Sequence, residues 1–520
     1  MAEPAVAADR LHAPVPYADM ILTALARAPR RVAFRWREDG GGPREMTYAE
    51  TREQILRFAT LLREAGLEPG DGIALLARNR PEAFTVMAAA CLCRLRYVPL
   101  HPLGSAATDR YTLGDADIRA LFIDAEQFGE RAAAAEGQIE FVRDLGEVEL
   151  PESRPDAIAA SDEEARALYL LYTGGTTGSP KGVMLPDRSL TTNAWMTAIH
   201  WDWPARTNLA ICTPMSHASG LFVLPGLLLG STFTLYPRFD VPSLIAGMEG
   251  EGVNSVFAVP SMLYDLLDHP ALGDADLRSL EWVLYGAAPM APRRIEEAID
   301  RFGPVLNQAY GQAEAPNTVF SLSQTDHAER DPVDLGSCGR PLAGVETCLL
   351  DPDGIEVEPG EPGEICIRGP LVMDGYWAKP EQTAEALRGG WLHTGDVARR
   401  NPGGTVTIVD RLKDMVISGG FNIYPREIED VITAHPGVAT AAVYGLPDER
   451  WGEAVTAAVV PKPGQELVAA ELIDSVRATK GSVAAPKHLL FLDELPLTPV
   501  GKPDKKALRA RGLHDQEVKG

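Results

Sequence analysis

Leu171-Tyr172-Thr173-Gly174-Gly175-Thr176-Thr177-Gly178-Ser179-Pro180-Lys181-Gly182 follows an apolar, strand-like run from Leu168 to Tyr172. It carries four glycines, four threonine or serine hydroxyls and one lysine. Glycine lets the backbone take positive φ and turn its N–H groups toward an anion. The hydroxyls add donors and the lysine adds a mobile positive charge, a combination suited to a polyphosphate. The spacing is not that of the P-loop, G-x-x-x-x-G-K-[ST]. Counted from Gly174, the glycine–lysine pair would fall on Ser179 and Pro180. Composition alone leaves two readings open: a phosphate loop of another kind, or a Gly/Thr/Ser-rich surface turn. A helix is expected from about Pro186-Asp187, with proline just before a capping aspartate.

A chain of 520 residues is too long for one core, so at least two domains are expected. A hydrophobic fraction of 45% and a charged fraction of 23% are those of a globular protein. The net charge of −24 argues against nucleic acid or anionic lipid as the main partner. The six cysteines, at 91, 93, 212, 338, 348 and 366, form no C-x-x-C and no His/Cys group at metal spacing, so buried free thiols are expected. Met1 to Arg10 lacks the apolar core of a signal peptide, and the run Gly220 to Gly230 is broken by Pro225 and Gly226, so no integral membrane segment and a cytoplasmic location are expected.

From the N-terminus, residues 1–18 read as a loose leader. A short strand at 46–48 leads into a helix over 49–65 with Ile55, Phe58 and Leu62 on one face. Strands at 72–77, 97–100 and 120–123 alternate with helices after Pro81 and over 106–115, as in a parallel α/β sheet. Residues 147–166 are acidic, contain Pro151 and Pro155, and read as an exposed connection. Further strands are expected at 209–213, 232–236, 255–259 and 281–285. From 333 to 410, short β runs between Gly/Pro turns suggest a small barrel or meander. After Asp410-Arg411 a helix over 426–434, strands at 438–444 and 454–461, a helix over 469–480 and a strand at 488–492 read as a separate α+β unit.

Several stretches in this order resemble the adenylate-forming superfamily, which comprises acyl-CoA synthetases, luciferases and peptide-synthetase adenylation domains. They are the Gly/Thr loop above, Pro214-Met215-Ser216-His217-Ala218-Ser219-Gly220, Tyr285-Gly286-Ala287-Ala288-Pro289, Gln308-Ala309-Tyr310-Gly311-Gln312-Ala313-Glu314, Trp391-Leu392-His393-Thr394-Gly395-Asp396, Asp410-Arg411-Leu412-Lys413-Asp414, Ser418-Gly419-Gly420-Phe421-Asn422-Ile423-Tyr424-Pro425-Arg426-Glu427, and Pro496-Leu497-Thr498-Pro499-Val500-Gly501-Lys502. Each alone has an ordinary structural explanation, such as a loop-capping histidine, a strand end, a charged turn or a basic tail. Together they span about 340 residues in family order, and the Gly-Gly-Phe-Asn-Ile-Tyr-Pro-Arg-Glu wording resembles acyl-CoA ligases.

The resemblance implies an α/β fold: a large N-terminal domain (1–410) of two doubly wound lobes plus a small β barrel, a hinge (411–413), and a small mobile α+β C-terminal domain (414–520). It implies ATP, Mg²⁺ and coenzyme A. Thr173, Gly174, Gly175, Thr176, Thr177 and Lys181 would hold the β- and γ-phosphates. Gly286, Ala287, Ala288, Pro289, Tyr310, Gly311 and Gln312 would line adenine and the substrate carboxylate. Asp396 would take the ribose hydroxyls, and Arg411 ribose or phosphate. Glu314 would hold Mg²⁺. Lys413 would be the pivot, and Gly419 and Gly420 would border the pantetheine tunnel. Lys502 would complete the adenylation site, and His217 would sit at the mouth of the acyl pocket. Ala313 stands where the family has threonine, as in aryl-acid members. Gln312 and Thr318 are the candidates to replace that hydroxyl.

The implied reaction is attack of a carboxylate on the α-phosphorus of ATP, giving acyl-AMP and pyrophosphate, and then transfer of the acyl group to coenzyme A. Transfer to a carrier protein, luciferase-like oxygenation and a catalytically silent nucleotide binder are the alternatives. Retention of Glu314, Asp396, Arg411 and Lys502 argues against the silent binder. Leu221, Phe222, Val223 and Leu224 offer an apolar wall, and small residues at 286–288 leave room, so the acid is expected to be hydrophobic: fatty, aryl or polycyclic.

Overall fold

In the computed structural model, which describes residues 15–37, 42–133, 137, 139–152, 168–173, 180–418, 421–448, 450–497 and 503–517, the apolar run is the strand Leu168–Thr173. Its antiparallel partner is the strand Lys181–Pro186, with Thr173 opposite Lys181. The Gly/Thr stretch therefore joins two strands of a hairpin, and the expected helix follows one strand later, as Asp187–His200. Pro186 occupies the N-cap and Asp187 makes no cap of its own helix. The Asp187 carboxylate instead accepts from the backbone N–H of Tyr17 at 2.9 Å, anchoring the first turn of the helix Tyr17–Arg27. Tyr17 and Ala18, expected in a loose leader, are 1% and 5% exposed in that helix, whose Ile21 and Leu25 are fully buried.

This hairpin belongs to a seven-stranded sheet. From one edge it runs Gly375–Tyr376, Lys181–Pro186, Leu168–Thr173, Arg96–Pro99, Gly72–Leu76, Ile118–Ile123 and Phe141–Asp144. The second lobe is a nine-stranded sheet. Its parallel interior holds Asn208–Ile211, Thr232–Leu235, Ser255–Ala258, Trp282–Gly286 and Leu306–Gln312, with antiparallel strands at both edges. The parallel alternation read from the sequence thus holds through the interiors and out to the edge strand Phe141–Asp144, and gives way to antiparallel pairing at the other three edges. Antiparallel pairs need no crossover helix there.

Period-2 alternation explains why both faces are covered. Leu209, Ile211 and Phe257 point into one hydrophobic core, while Ala210, Val256 and Ala258 point into another. In the seven-stranded sheet Ile73 and Leu75 face the shared core, and Ala74 and Leu76 face a separate cluster. The shared core also takes Ile365, Ile367 and Ala398 from a third sheet, so three sheets meet on it. Local signals set the helices. Thr47 and Glu50 form a capping box that opens Tyr48–Glu64, with Ile55, Phe58 and Leu62 buried as expected. Pro81, Pro260 and Pro292 each start a helix.

The β-rich stretch pairs as an antiparallel meander, in the order Glu346–Leu350, Gly363–Arg368, Leu392–Arg400, Val406–Arg411. Sheet membership then changes between Arg411 and Val416. Val416–Ser418, Phe421–Ile423, Val438–Asp448, Gly452–Pro461 and His488–Phe491 form a fourth sheet. The helices Pro425–Thr433 and Ala469–Lys480 pack on it around a core of its own, which includes Val416, Ile428, Ile432, Val443, Val455, Leu472 and Val476. Among the described residues no helix is long and apolar enough to cross a membrane, and all six cysteines are buried free thiols.

Candidate active site

In open α/β sheets a ligand site forms at the carboxyl ends of the strands. Thr173 ends its strand, and its hydroxyl lies 3.5 Å from the Lys181 carbonyl across the hairpin. The Lys181 ammonium sits 4.7 Å above the ring of Tyr376, in the next strand. The Tyr376 hydroxyl donates to Glu314 Oε1 at 2.8 Å. Burial pushes the Glu314 carboxyl up, opposed by the Tyr376 hydroxyl and by the charges of Lys181 and Arg411. The phosphate-loop edge and the acidic residue expected to bind a metal thus share one corner of the molecule. Tyr376 joins them, a residue the sequence reading did not single out.

A second group lies alongside. Tyr310 donates to Asp396 Oδ2 at 2.6 Å, and Arg411 Nε donates to Asp396 Oδ1 at 3.1 Å. Asp396 is 5% exposed, and Thr394 Oγ1 accepts from its backbone N–H at 3.0 Å. The β ladder makes this possible, because Asp396 is paired with Arg411 across adjacent strands. Lys413 lies exposed just beyond, on the turn leaving the meander.

The strand ends supply a flat wall. Gly286 is paired with Ala309. A Cβ on Gly286 would stand 2.5 Å from the Ala309 carbonyl oxygen. Ala287 takes φ +65°, a left-handed conformation that costs a non-glycine residue on the order of 1–3 kcal/mol. Ala287 and Pro289 are exposed and Ala288 is half-buried, so the turn presents small groups to a ligand. Gly311 is tighter still, since a Cβ there would lie 2.4 Å from Asn317 N and 2.8 Å from Ala315 O. Gly311→Ala is expected to lose about 1–3 kcal/mol of stability, because both neighbours are backbone and cannot rotate away. A thermal melt beside wild type checks this, and an unchanged midpoint would refute it.

Next to Ala313, Gln312 Nε2 is buried with no hydrogen-bond partner among the described residues. Thr318, the other candidate for the missing hydroxyl, is fully buried and donates to the Pro316 carbonyl at 3.1 Å. Its hydroxyl is engaged inside the core, where it also lies 3.4 Å from Asn193 Nδ2.

His217 adjoins this strand pair through Asn317, whose amide lies 3.4 Å from the Ala218 carbonyl. Its Nδ1 is 2.9 Å from Ser216 Oγ, and its ring meets His101 edge-on at 4.4 Å. Burial first, and His101 second, lower its pKa to about 3, so the ring is neutral at physiological pH. His101 carried no local sequence signal. Leu221, Phe222, Val223 and Leu224 are closed in the core, Phe222 against Phe257 at 4.8 Å, so this run backs the His217 segment with packed side chains. Gly174, Gly175, Thr176, Thr177, Gly419, Gly420 and Lys502 lie outside the described residues.

Asp410 joins the meander to the C-terminal unit. Its Oδ1 accepts from Arg411 N at 2.7 Å, and its Oδ2 from Arg426 N, at the start of the helix Pro425–Thr433, at 3.0 Å. Burial pushes this carboxyl from 3.8 up to about 6, partly offset by Lys505. The folded chain therefore holds this proton more tightly than the unfolded chain does. Ionising Asp410 costs stability progressively as pH rises from about 4 to 6, and the full cost persists above that. Asp410→Asn removes the ionisation. Its stability relative to wild type is expected to be more favourable at pH 8 than at pH 4.5, by up to about 3 kcal/mol. Denaturation midpoints at the two pH values check the sign, and a pH-independent difference would refute it.

The chain matches the AMP-binding enzyme family over residues 22–377 and its C-terminal domain over residues 427–502. It is 42% identical over 495 residues to a medium/long-chain-fatty-acid–CoA ligase, FadD8, of Mycobacterium tuberculosis, with 90% of this chain and 86% of that one covered. It is 38% identical to a feruloyl-CoA synthase of an Amycolatopsis species, with 90% and 94% covered. Among solved structures, the amide bond synthetase McbA of Marinactinospora thermotolerans superposes with a TM-score of 0.84 at 34% identity, with 95% and 99% covered. With these matches running through both sheets and the C-terminal unit, the chain belongs to the AMP-binding enzyme family, as an acyl-CoA synthetase of the adenylate-forming superfamily.

Proposed function

We propose that this enzyme activates a hydrophobic carboxylic acid, of the fatty or aryl class, as its acyl-adenylate and passes it to coenzyme A. The observation that carries the reading is the buried Asp396 carboxylate, bonded to Tyr310 and Arg411 next to Glu314 and the Thr173–Lys181 hairpin. An acidic side chain at the carboxyl end of a sheet can accept from two vicinal ribose hydroxyls. The Tyr310 ring and the small turn 286–289 then offer a face for adenine.

A free carboxylate acylates poorly, and adenylation gives it a leaving group. The acid's oxygen attacks the α-phosphorus and pyrophosphate departs. The thiol then attacks the acyl carbon, and AMP leaves. The protein contributes positioning and neutralisation of charge. Thr173 to Lys181 would receive the β- and γ-phosphates. Gln312, with its unpartnered amide donor, would serve where Ala313 lacks a hydroxyl. His217 and His101, both held neutral by burial, would border the acyl chain without attracting a second negative charge. Glu314 fits a Mg²⁺ ion, because it offers carboxylate oxygen beside phosphate-binding residues, as a hard cation requires. That ion would neutralise charge on the triphosphate.

The domain reading is 1–410, a hinge at 411–413 around Lys413, and 414–520. It draws support from the separate core of the C-terminal sheet and from the change of sheet after Arg411. Rotation there would exchange Lys502 for Gly419 and Gly420 between the two steps. Both cosubstrates are abundant in the cytoplasm, where we place the reaction.

The test is pyrophosphate release from ATP and Mg²⁺ across fatty, aryl and polycyclic acids, with and without coenzyme A, followed by mass detection of the thioester. Acid-dependent release, with a thioester only when coenzyme A is present, is the expected result. Acyl-adenylate that never becomes a thioester would overturn the choice of acceptor.

A further inference from the structure

Lys181 and Glu314 carry opposite charges, and the proposed reaction needs both of them turned toward one triphosphate. Each is held by a different part of a single side chain. The Lys181 ammonium lies 4.7 Å from the centroid of the Tyr376 ring, within the range at which a cation is attracted to an aromatic face. The Tyr376 hydroxyl donates to Glu314 Oε1 at 2.8 Å. A phenol offers both contacts, because its face takes a cation and its tip donates to an anion.

The backbone around Tyr376 fixes that arrangement. Gly375 and Tyr376 pair antiparallel with Met184 and Val183, in the strand that Lys181 begins. On either side, Asp374 N donates to the Met184 carbonyl at 2.9 Å and Trp377 N to the Gly182 carbonyl at 2.8 Å. Met373 N donates to the Glu314 carbonyl at 2.9 Å, so the segment also holds the backbone of the residue whose carboxylate it serves. Thr383 Oγ1 accepts from Tyr376 N at 2.9 Å. Further along, the Trp377 indole donates to the Asp115 carbonyl at 3.0 Å, and Lys379 pairs with the Asp115 carboxylate at 2.7 Å. The other oxygen of that carboxylate accepts from the Tyr172 hydroxyl at 2.7 Å, one residue before Thr173. Residues 373–379 are thus fastened to Glu314, directly to one strand of the Thr173–Lys181 hairpin, and through Asp115 to the other.

We infer that Tyr376 is a positioning residue for the adenylation step: its hydroxyl fixes one Glu314 oxygen and leaves the other for a divalent cation, while its ring keeps Lys181 apart from that carboxylate until the triphosphate arrives. This rests on the roles proposed above for Glu314 and Lys181. Without the ring, the ammonium and the carboxylate would pair directly, since opposite charges attract strongly where water is partly excluded. An incoming triphosphate would then have to break that pair. Without the hydroxyl, the carboxylate loses the donor that orients it. Outer partners of this kind typically contribute about 10–100-fold to metal affinity.

The test uses the full chain, Mn²⁺ as the cation and α,β-methylene-ATP, which carries a triphosphate that the acid cannot split. Free Mn²⁺ is counted by electron paramagnetic resonance, and binding of the analogue without metal is measured by calorimetry. Tyr376→Phe keeps the ring and every backbone bond of the segment. It is expected to weaken Mn²⁺ binding in the presence of the analogue by about 10–100-fold, with metal-free binding of the analogue unchanged. Tyr376→Leu, which removes the ring as well, is expected to weaken metal-free binding too. Adding Glu314→Gln to Tyr376→Leu should restore it, because the amide no longer captures Lys181; a role confined to folding would not be rescued in this way. AMP binding, which needs neither triphosphate nor cation, reports that each variant is folded. Unchanged Mn²⁺ affinity in a Tyr376→Phe chain that binds AMP would overturn the role of the hydroxyl. Equal metal-free binding by the Phe and Leu variants, or no rescue by Glu314→Gln, would overturn that of the ring. A wild-type chain that binds the analogue but takes up no Mn²⁺ with it would be a different failure, removing the reading of Glu314 and this inference with it.

Discussion

Lys502→Ala is expected to lower acid-dependent pyrophosphate release by on the order of 10³-fold while leaving thioester formation from supplied acyl-adenylate and coenzyme A within a few-fold of wild type. In the proposed reaction Lys502 would bridge the substrate carboxylate and the α-phosphate, where negative charge from two groups must converge. Removing a preorganised cationic or hydrogen-bonding group at such a point costs roughly 10²–10³-fold or more. The described residues on either side of it are paired. Leu497 and Pro503 form an antiparallel bridge, and Asp504 N donates to the Pro496 carbonyl at 2.7 Å, so both ends of the segment are held together. Lys505 is tied to Glu429 at 2.8 Å, which fixes the following helix to the body of the C-terminal unit. The split between half-reactions is the informative part. A static site would use Lys502 in both, and equal losses in the two assays would rule out the exchange of surfaces about Lys413.

Much of the candidate site was legible because its residues stand in contiguous stretches. The small-residue turn at 286–289, Tyr310 to Glu314 and the Thr394-Gly395-Asp396 stretch each carry their own signal, and alternation of apolar runs marked most of the strands. What escaped was made by pairing between distant residues. Tyr376 stands 62 positions from the Glu314 carboxylate it serves. His101 reaches His217 only because two strand ends converge. Asp187 looked like a cap and spends its carboxylate on Tyr17, 170 residues away. The short strand Lys181–Pro186 was hidden by Gly182 and Pro186, which read as loop residues. The contact of His393 with Glu364 and Cys366 shows the same limit, because it is made by the register of antiparallel strands and not by spacing along the chain.

Asp396→Ala should raise the KM for ATP by about 10²–10³-fold and weaken AMP binding to a similar degree, with a smaller effect on the KM for the acid. The carboxylate is 5% exposed and serves two donors at once, Tyr310 at 2.6 Å and Arg411 at 3.1 Å. Hydrogen bonds to a charged group contribute about 1.5–3 kcal/mol each, and an abandoned buried partner adds its own desolvation cost. Alanine therefore removes the proposed ribose acceptor, leaves the Tyr310 hydroxyl without this acceptor, and frees Arg411 from its orienting ion pair. Tyr310→Phe separates these contributions. It removes one donor to Asp396 but keeps the ring and the acceptor, so it is expected to cost only about 10-fold, with the ring still available to adenine. Calorimetric titration with AMP beside thermal melts distinguishes a lost ligand contact from a lost fold. A melting temperature close to wild type with AMP affinity reduced is the expected outcome for Asp396→Ala. Unchanged AMP affinity in a folded variant would remove Asp396 from the nucleotide site, and with it the main support for placing ribose at this end of the sheet.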